Sequence, residues 1–373
     1  MKSLTWFFLA GGLLLAGCGS APQVAETTPA EPEAELYFPP GSGEWERVDP
    51  ASAGWDPEAL EAVLEYAGQQ RSSGVVILLR GRILAERYWE VETPPDVIDY
   101  SGLIVGRDES GHVIEDVMSI QKSVIAFLAG VAQAEGLLDI EEPASTYLGR
   151  GWTQATPEQE AQIKVRHLLS MASGLDEDLA YMGTPGELFM YNTPVYSRMV
   201  TILEKVTGMD VDAYTSQWLT SRVGMHDSRW WTRSEEFRVS WANVIGFVTT
   251  ARDLARFGLL MRARGHWAGE DLLHNPDYFE RMLCPSTVAN PSYGFLWWLN
   301  GGDRWVMGRH NTEAREGPLV PTAPDDLFAG LGSLGRKVYV VPSLELVVTR
   351  LGDEPPDEAF SNEIWKLLMK AVP

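Results

Sequence analysis

Apolar positions recur at helical spacing in five stretches of this chain. The first opens at Asp56-Pro57, and Leu60, Val63, Leu64 and Ala67 follow at intervals of three and four; a capping aspartate, a proline in the first turn and that stripe predict a helix. Ile120 to Glu135, Val195 to Val206 and Ala251 to Arg264 keep the same period, and Gly136, Gly208 and Gly265 follow them where a helix C-cap favours glycine. Phe360 to Ala371 is the fifth. Two hairpins are predicted as well: Val75 to Leu79 with Ile83 to Trp89 around Arg80-Gly81-Arg82, and Lys337 to Val341 with Leu346 to Leu351 around Pro342-Ser343. Strands near both chain ends with helices between them predict an α/β (α+β) architecture. One antiparallel sheet is closed by the termini and flanked by helices, with an all-helical lobe at about 140–285 inserted. No internal repeat is present.

The first residues follow a different pattern. Lys2, an apolar run from Trp6 to Leu15 and then Leu15-Ala16-Gly17-Cys18 read as a leader over residues 1–18, too short to span a bilayer comfortably. The ending resembles the bacterial lipobox, which makes Cys18 the expected lipidation site and the membrane a partner through that anchor. Gly19 after the cysteine, in place of Asp, points to the outer membrane or periplasm of a cell envelope. Residues 19–44, rich in Pro, Ala, Thr and Glu, are expected to form a disordered tether, with the folded domain over 45–373. Hydrophobic residues at 45% and 14 tryptophans supply its core. A net charge of −22 argues against nucleic acid as a partner. Beyond Cys18 only Cys284 remains, so the domain has no internal disulfide available.

Candidate chemistry begins at Ser119, at the mouth of the strongly apolar helix that carries Val124, Ile125, Leu128, Val131 and Ala132. Unpaired backbone N–H groups and the helix dipole favour negative charge there. Lys122 stands three residues on, on the same face, within reach of the serine oxygen. A serine hydroxyl needs a base beside it to become a nucleophile, and burial frees a lysine lone pair for that work. This is the only Ser-x-x-Lys in the chain. Alone, the motif fits equally a serine N-cap beside a solvated lysine.

The surrounding blocks add specificity. Met118-Ser119-Ile120-Gln121-Lys122-Ser123-Val124, Val165-Arg166-His167-Leu168-Leu169-Ser170-Met171-Ala172-Ser173-Gly174-Leu175 and Tyr293-Gly294-Phe295-Leu296-Trp297-Trp298 resemble, in order, those of the class C β-lactamase-related family. That family includes D-alanyl-D-alanine carboxypeptidases, β-lactamase-fold esterases and 6-aminohexanoate-dimer hydrolases, and the likeness runs from about Trp55 to the end. It implies a β-lactamase/transpeptidase-like fold and a serine hydrolase working through an acyl-enzyme.

The resemblance also implies that Tyr191, after the Pro185-Gly186 turn, joins Ser119 and Lys122 as proton carrier. The family's asparagine two residues beyond the tyrosine is Thr193 here, which leaves Asn192 as a substrate-binding candidate. The third block departs from Lys-Thr-Gly: Phe328-Ala329-Gly330-Leu331-Gly332-Ser333 fits a glycine-rich variant, which implies backbone N–H groups of Ser119 and Ser333 as the oxyanion hole and Gly332 against the substrate. Loss of that lysine favours a small carboxylic ester, amide or peptide substrate over a β-lactam. Arg336 is read as a surface-facing strand residue. β-Lactamase or D-alanyl-D-alanine carboxypeptidase activity, and a non-catalytic peptidoglycan-binding or scaffold lipoprotein, remain the alternatives.

A tyrosine has a pKa of about 10, and lowering it by roughly 3 units takes about 4 kcal/mol. One ammonium about 4 Å away supplies about that much at an effective dielectric of about 20. His310 and Trp298 are further cleft candidates. No cofactor is implied, no zinc-ligand spacing occurs among the six histidines, and no Gly-x-Ser-x-Gly elbow is present.

Overall fold

Helix α1 (Pro57–Gln69) begins where the Asp56 carboxylate accepts the N–H groups of Glu58 at 2.9 Å and Ala59 at 3.2 Å. Its stripe of Leu60, Val63, Leu64 and Ala67 is buried. A computed structural model describes residues 36–91, 100–235, 244–308 and 313–373. The expected leader with Cys18, most of the 19–44 segment and His310 lie outside the described residues.

Strands β1 (Ser72–Leu79) and β2 (Arg82–Tyr88) turn through Arg80 and Gly81, at φ 51° and 84°. Two positive φ angles match the right-handed twist of a two-residue hairpin, and a glycine takes one of them without strain. There follow β3 (Ile104–Arg107), β4 (Val113–Asp116), α2 (Gln121–Ala134), α3 (Thr193–Thr207), β5 (Arg229–Thr232), β6 (Ile245–Thr249) and α4 (Ala251–Arg262). The chain closes with β7 (Trp298–Leu299), β8 (Phe328–Gly332), β9 (Arg336–Val341), β10 (Leu346–Gly352) and α5 (Phe360–Ala371).

The main sheet is antiparallel in the order β2-β1-β10-β9-β8-β7. Val75 pairs with Arg350 and Leu79 with Leu346, so the two ends of the chain meet in its middle. Alternation along β9 sends Val338 toward Gly258 of α4 and Tyr339 onto Trp365 of α5, ring centroids 5.5 Å apart. Helices therefore cover both faces, and β1 accordingly reads as a near-continuous buried run.

A second sheet, β3-β4-β6-β5, stands behind the start of α2. The lobe expected to be all helical thus contains β5 and β6. Strands of four and five residues are too short to impose a readable alternation, and the side chains of Trp230 and Phe247 are placed by tertiary packing, centroids 5.4 Å apart. Ordered chain also begins earlier than Trp45: the Tyr37 N–H donates to the Arg80 carbonyl at 3.0 Å, and the buried Arg256 guanidinium donates to the Pro40 carbonyl at 2.8 Å.

Candidate active site

Ser119 occupies a single 3-10 turn, Met118–Ile120, that runs directly into α2. The turn is anchored from β4, where Asp116 Oδ1 accepts the Met118 N–H at 2.7 Å. Met118 itself is held at φ 54°, a region that costs a residue with a side chain about 1–3 kcal/mol. What over-determines it is a buried ion pair. Arg233 donates from Nε to Asp116 Oδ2 and from Nη2 to Oδ1, both at 2.8 Å, and the Trp231 indole donates to Oδ2 at 2.7 Å. Arg233 Nη2 also reaches Gln121 Oε1 at 3.0 Å, tying the clamp to the first turn of α2. Asp116 and Arg233 are 0% and 1% exposed.

Helix α2 is buried from Gln121 through Ala132, its lysine included. Lys122 is 3% exposed and donates from Nζ to Ser119 Oγ at 3.1 Å. The same nitrogen lies 5.0 Å from the ring centroid of Tyr191 and 4.9 Å from that of Tyr196. Two ring faces attract a cation. Tyr191 enters from the segment before α3, stacks on Trp298 at 6.0 Å and 23°, and meets Tyr293 edge-on at 6.3 Å.

Opposite the serine turn runs β8. A Cβ at Gly330 would stand 3.1 Å from Ser123 Oγ, and one at Gly332 would stand 2.3 Å from the Val117 carbonyl oxygen. Only residues without side chains let this strand lie so close to the Ser119 turn. Between them is a cleft of about 210 Å³, walled by Ser119, Tyr191, Trp298, Gly332 and Ser333. Three further wall residues, Met307, Leu331 and Lys337, were absent from the sequence expectations. Register was the available signal for the last: Lys337 pairs with Leu331 across β8 and β9, and so shares its face of the sheet.

Two expectations are corrected. Asn192 does not face the cleft as a substrate contact. It is 1% exposed and caps α3, its Oδ1 accepting the Val195 N–H at 3.0 Å while Nδ2 donates to the carbonyls of Leu175 at 3.0 Å and Asp176 at 2.8 Å. Asn followed by Thr-Pro is a helix-start signature, and reading it as one identifies the cap. Arg336 is not surface-facing: it is fully buried and donates from Nη2 to Glu115 Oε2 at 2.9 Å, a carboxylate that Tyr100 and Ser73 also serve.

The beta-lactamase family model matches residues 59–371. An uncharacterised protein of Alkalihalophilus pseudofirmus is 22% identical over 301 residues, 74% of this chain and 82% of its own. Among solved structures, a beta-lactamase from Mycobacterium bovis superposes with a TM-score of 0.58 at 17% identity, over 84% of this chain and 97% of that one. EstCE1, a hydrolase with promiscuous acyltransferase activity, gives 0.58 at 15% identity over 84% and 97%.

Proposed function

Because this chain belongs to the beta-lactamase family of hydrolases, we propose that it is a serine hydrolase that opens a small carboxylic ester or amide through an acyl-enzyme on Ser119. The observation that carries the reading is the 3.1 Å hydrogen bond between Lys122 Nζ and Ser119 Oγ at the wall of a cleft that Tyr191 also lines.

In this reading Ser119 Oγ attacks the carbonyl carbon, and its proton passes into the pair formed by Lys122 and Tyr191. The two aromatic rings stabilise an ammonium on Lys122, whose charge in turn favours a phenolate on Tyr191, so the phenolate oxygen takes the serine proton and becomes the phenol. The developing oxyanion sits against the backbone N–H groups of Ser119 and Ser333, where fixed dipoles act without reorganisation. The carbon–oxygen or carbon–nitrogen bond then breaks, and the leaving group takes the proton back from the pair. Water enters, gives the pair its proton, attacks the acyl-serine and releases the acid, restoring the Ser119 hydroxyl.

Turnover of p-nitrophenyl butyrate, nitrocefin, a D-alanyl-D-alanine peptide and the 6-aminohexanoate dimer tests the proposal. The ester or an amide of this panel is expected to be hydrolysed by the native chain and not by folded Ser119→Ala. A native chain that turns over none of the four, or a Ser119→Ala chain as active as the native one, overturns it.

A further inference from the structure

Glu115 and Asp116 are neighbours on β4, and alternation points them to opposite faces of the strand. Asp116 serves the Ser119 turn, through the Met118 N–H and Arg233. Glu115 serves the other jaw of the cleft. Its Oε2 accepts from Arg336 Nη2 at 2.9 Å, and Arg336 Nη1 donates onward to the Ser333 carbonyl at 3.3 Å. Tyr100 donates to Glu115 Oε1 at 2.8 Å and Ser73 donates to the same oxygen, so three side chains fix the carboxylate. Glu115 and Arg336 are both fully buried, and neither is a wall of the 210 Å³ cleft.

The turn that Arg336 holds is the one that carries Ser333. Strand β8 ends at Gly332 and β9 begins at Arg336, with Ser333, Leu334 and Gly335 between them. Leu334 stands at φ 63°, a left-handed angle that costs a residue with a side chain about 1–3 kcal/mol. Two buried guanidinium groups hold the peptide planes on both sides of it. Arg336 takes the Ser333 carbonyl, and Arg350 Nη1 takes the Leu334 carbonyl at 2.7 Å. Met118, beside Ser119, is held at the same kind of angle by Asp116. Ser119 and Ser333 each adjoin a strained residue, and a carboxylate of β4 stands behind each.

A buried ion pair adds little stability over apolar packing, whereas a guanidinium presents its donors in a rigid fork. The Glu115–Arg336 pair is therefore suited to direction more than to strength. Gly332 leaves room for it, since a Cβ there would stand 3.1 Å from Arg336 Cβ.

We propose that Glu115 and Arg336 are positioning residues for the oxyanion hole. Strand β4 sets the Ser119 donor through Asp116 and the Ser333 donor through Glu115 and Arg336, and so fixes how the two N–H groups face each other. The inference rests on the hydrolytic reading of Ser119 and adds to it the residues that shape its oxyanion hole.

Replacing Arg336 alone strands a buried carboxylate, so the test uses the double variant Arg336→Met with Glu115→Gln, which removes the pair as a pair. With p-nitrophenyl butyrate, kcat is expected to fall about tenfold or more while KM stays within about threefold. The second reading is the affinity for propyl trifluoromethyl ketone, followed by fluorine NMR. Ser119 Oγ adds to its carbonyl carbon, the serine proton passes to the Lys122 and Tyr191 pair, and the carbonyl oxygen stays as an oxyanion with no group to leave. Its Kd is expected to rise by the factor that kcat falls. Loss of a merely structural pair would lower the melting temperature and the active fraction, and leave ketone affinity per active site unchanged.

A double variant that fails to fold passes both readings to Arg336→Lys, whose single ammonium keeps the charge beside Glu115 without the fork to Ser333. The same losses are then expected at about threefold or more. A native chain that turns over no ester yet binds the ketone more tightly than the variant supports the positioning and sinks the hydrolytic reading alone. Equal kcat and equal ketone affinity in the two folded chains overturn the positioning alone. A fall in kcat without a rise in ketone Kd overturns it as well, and a native chain with neither turnover nor adduct overturns both readings.

Discussion

Replacing Lys122 by alanine is expected to lower kcat/KM for the ester substrate about 10³-fold, a loss of about 4 kcal/mol in transition-state stabilisation. The reason lies in where the nitrogen stands. It is the hydrogen-bond donor to Ser119 Oγ at 3.1 Å and the charge that faces the Tyr191 ring at 5.0 Å, so its removal leaves the hydroxyl without its partner and the phenol without its counter-charge. The fold should survive, because Lys122→Ala removes a desolvated charge from a helix otherwise packed with apolar side chains. Circular dichroism and steady-state kinetics on the same preparation check both halves. A folded variant within tenfold of the native rate contradicts the assigned role.

The second large effect concerns stability. Arg233→Ala leaves the Asp116 carboxylate fully buried with, among the described residues, the Trp231 indole and the Met118 N–H to hold it, and breaking a buried pair from one side costs about 3–5 kcal/mol. Urea unfolding reads that loss directly. Activity should fall with it, since the same carboxylate fixes the Met118 turn from which Ser119 projects. A loss under about 1 kcal/mol would place Arg233 among ordinary surface substitutions and contradict the clamp.

How much of this is legible in the sequence follows from the range of the interactions. Ser119 and Lys122 are three residues apart on one helix, and helical geometry alone brings them together. The α1 stripe and both hairpins were legible for the same reason, since local periodicity and turn chemistry decide them. Tyr191 was a different case: its place beside Lys122 is a tertiary contact, and only the family likeness pointed to it.

Arg233 and Asp116 are separated by 117 positions with no local pattern joining them. Arg336 was misread because strand alternation suggests a solvent side, whereas this sheet is covered on both faces and the outward position meets Glu115. Asn192 was misread because a family position was preferred over a capping signature present in the residues themselves. Lys337 escaped notice because a lysine on a strand is ordinarily solvated, and its face is set by register with Leu331.

Labelling with a fluorophosphonate, followed by peptide mapping, tests the central claim most directly. The account predicts one phosphonylated residue, Ser119, and no adduct in a folded Ser119→Ala chain. An adduct on another serine, or undiminished labelling of Ser119→Ala, would contradict it.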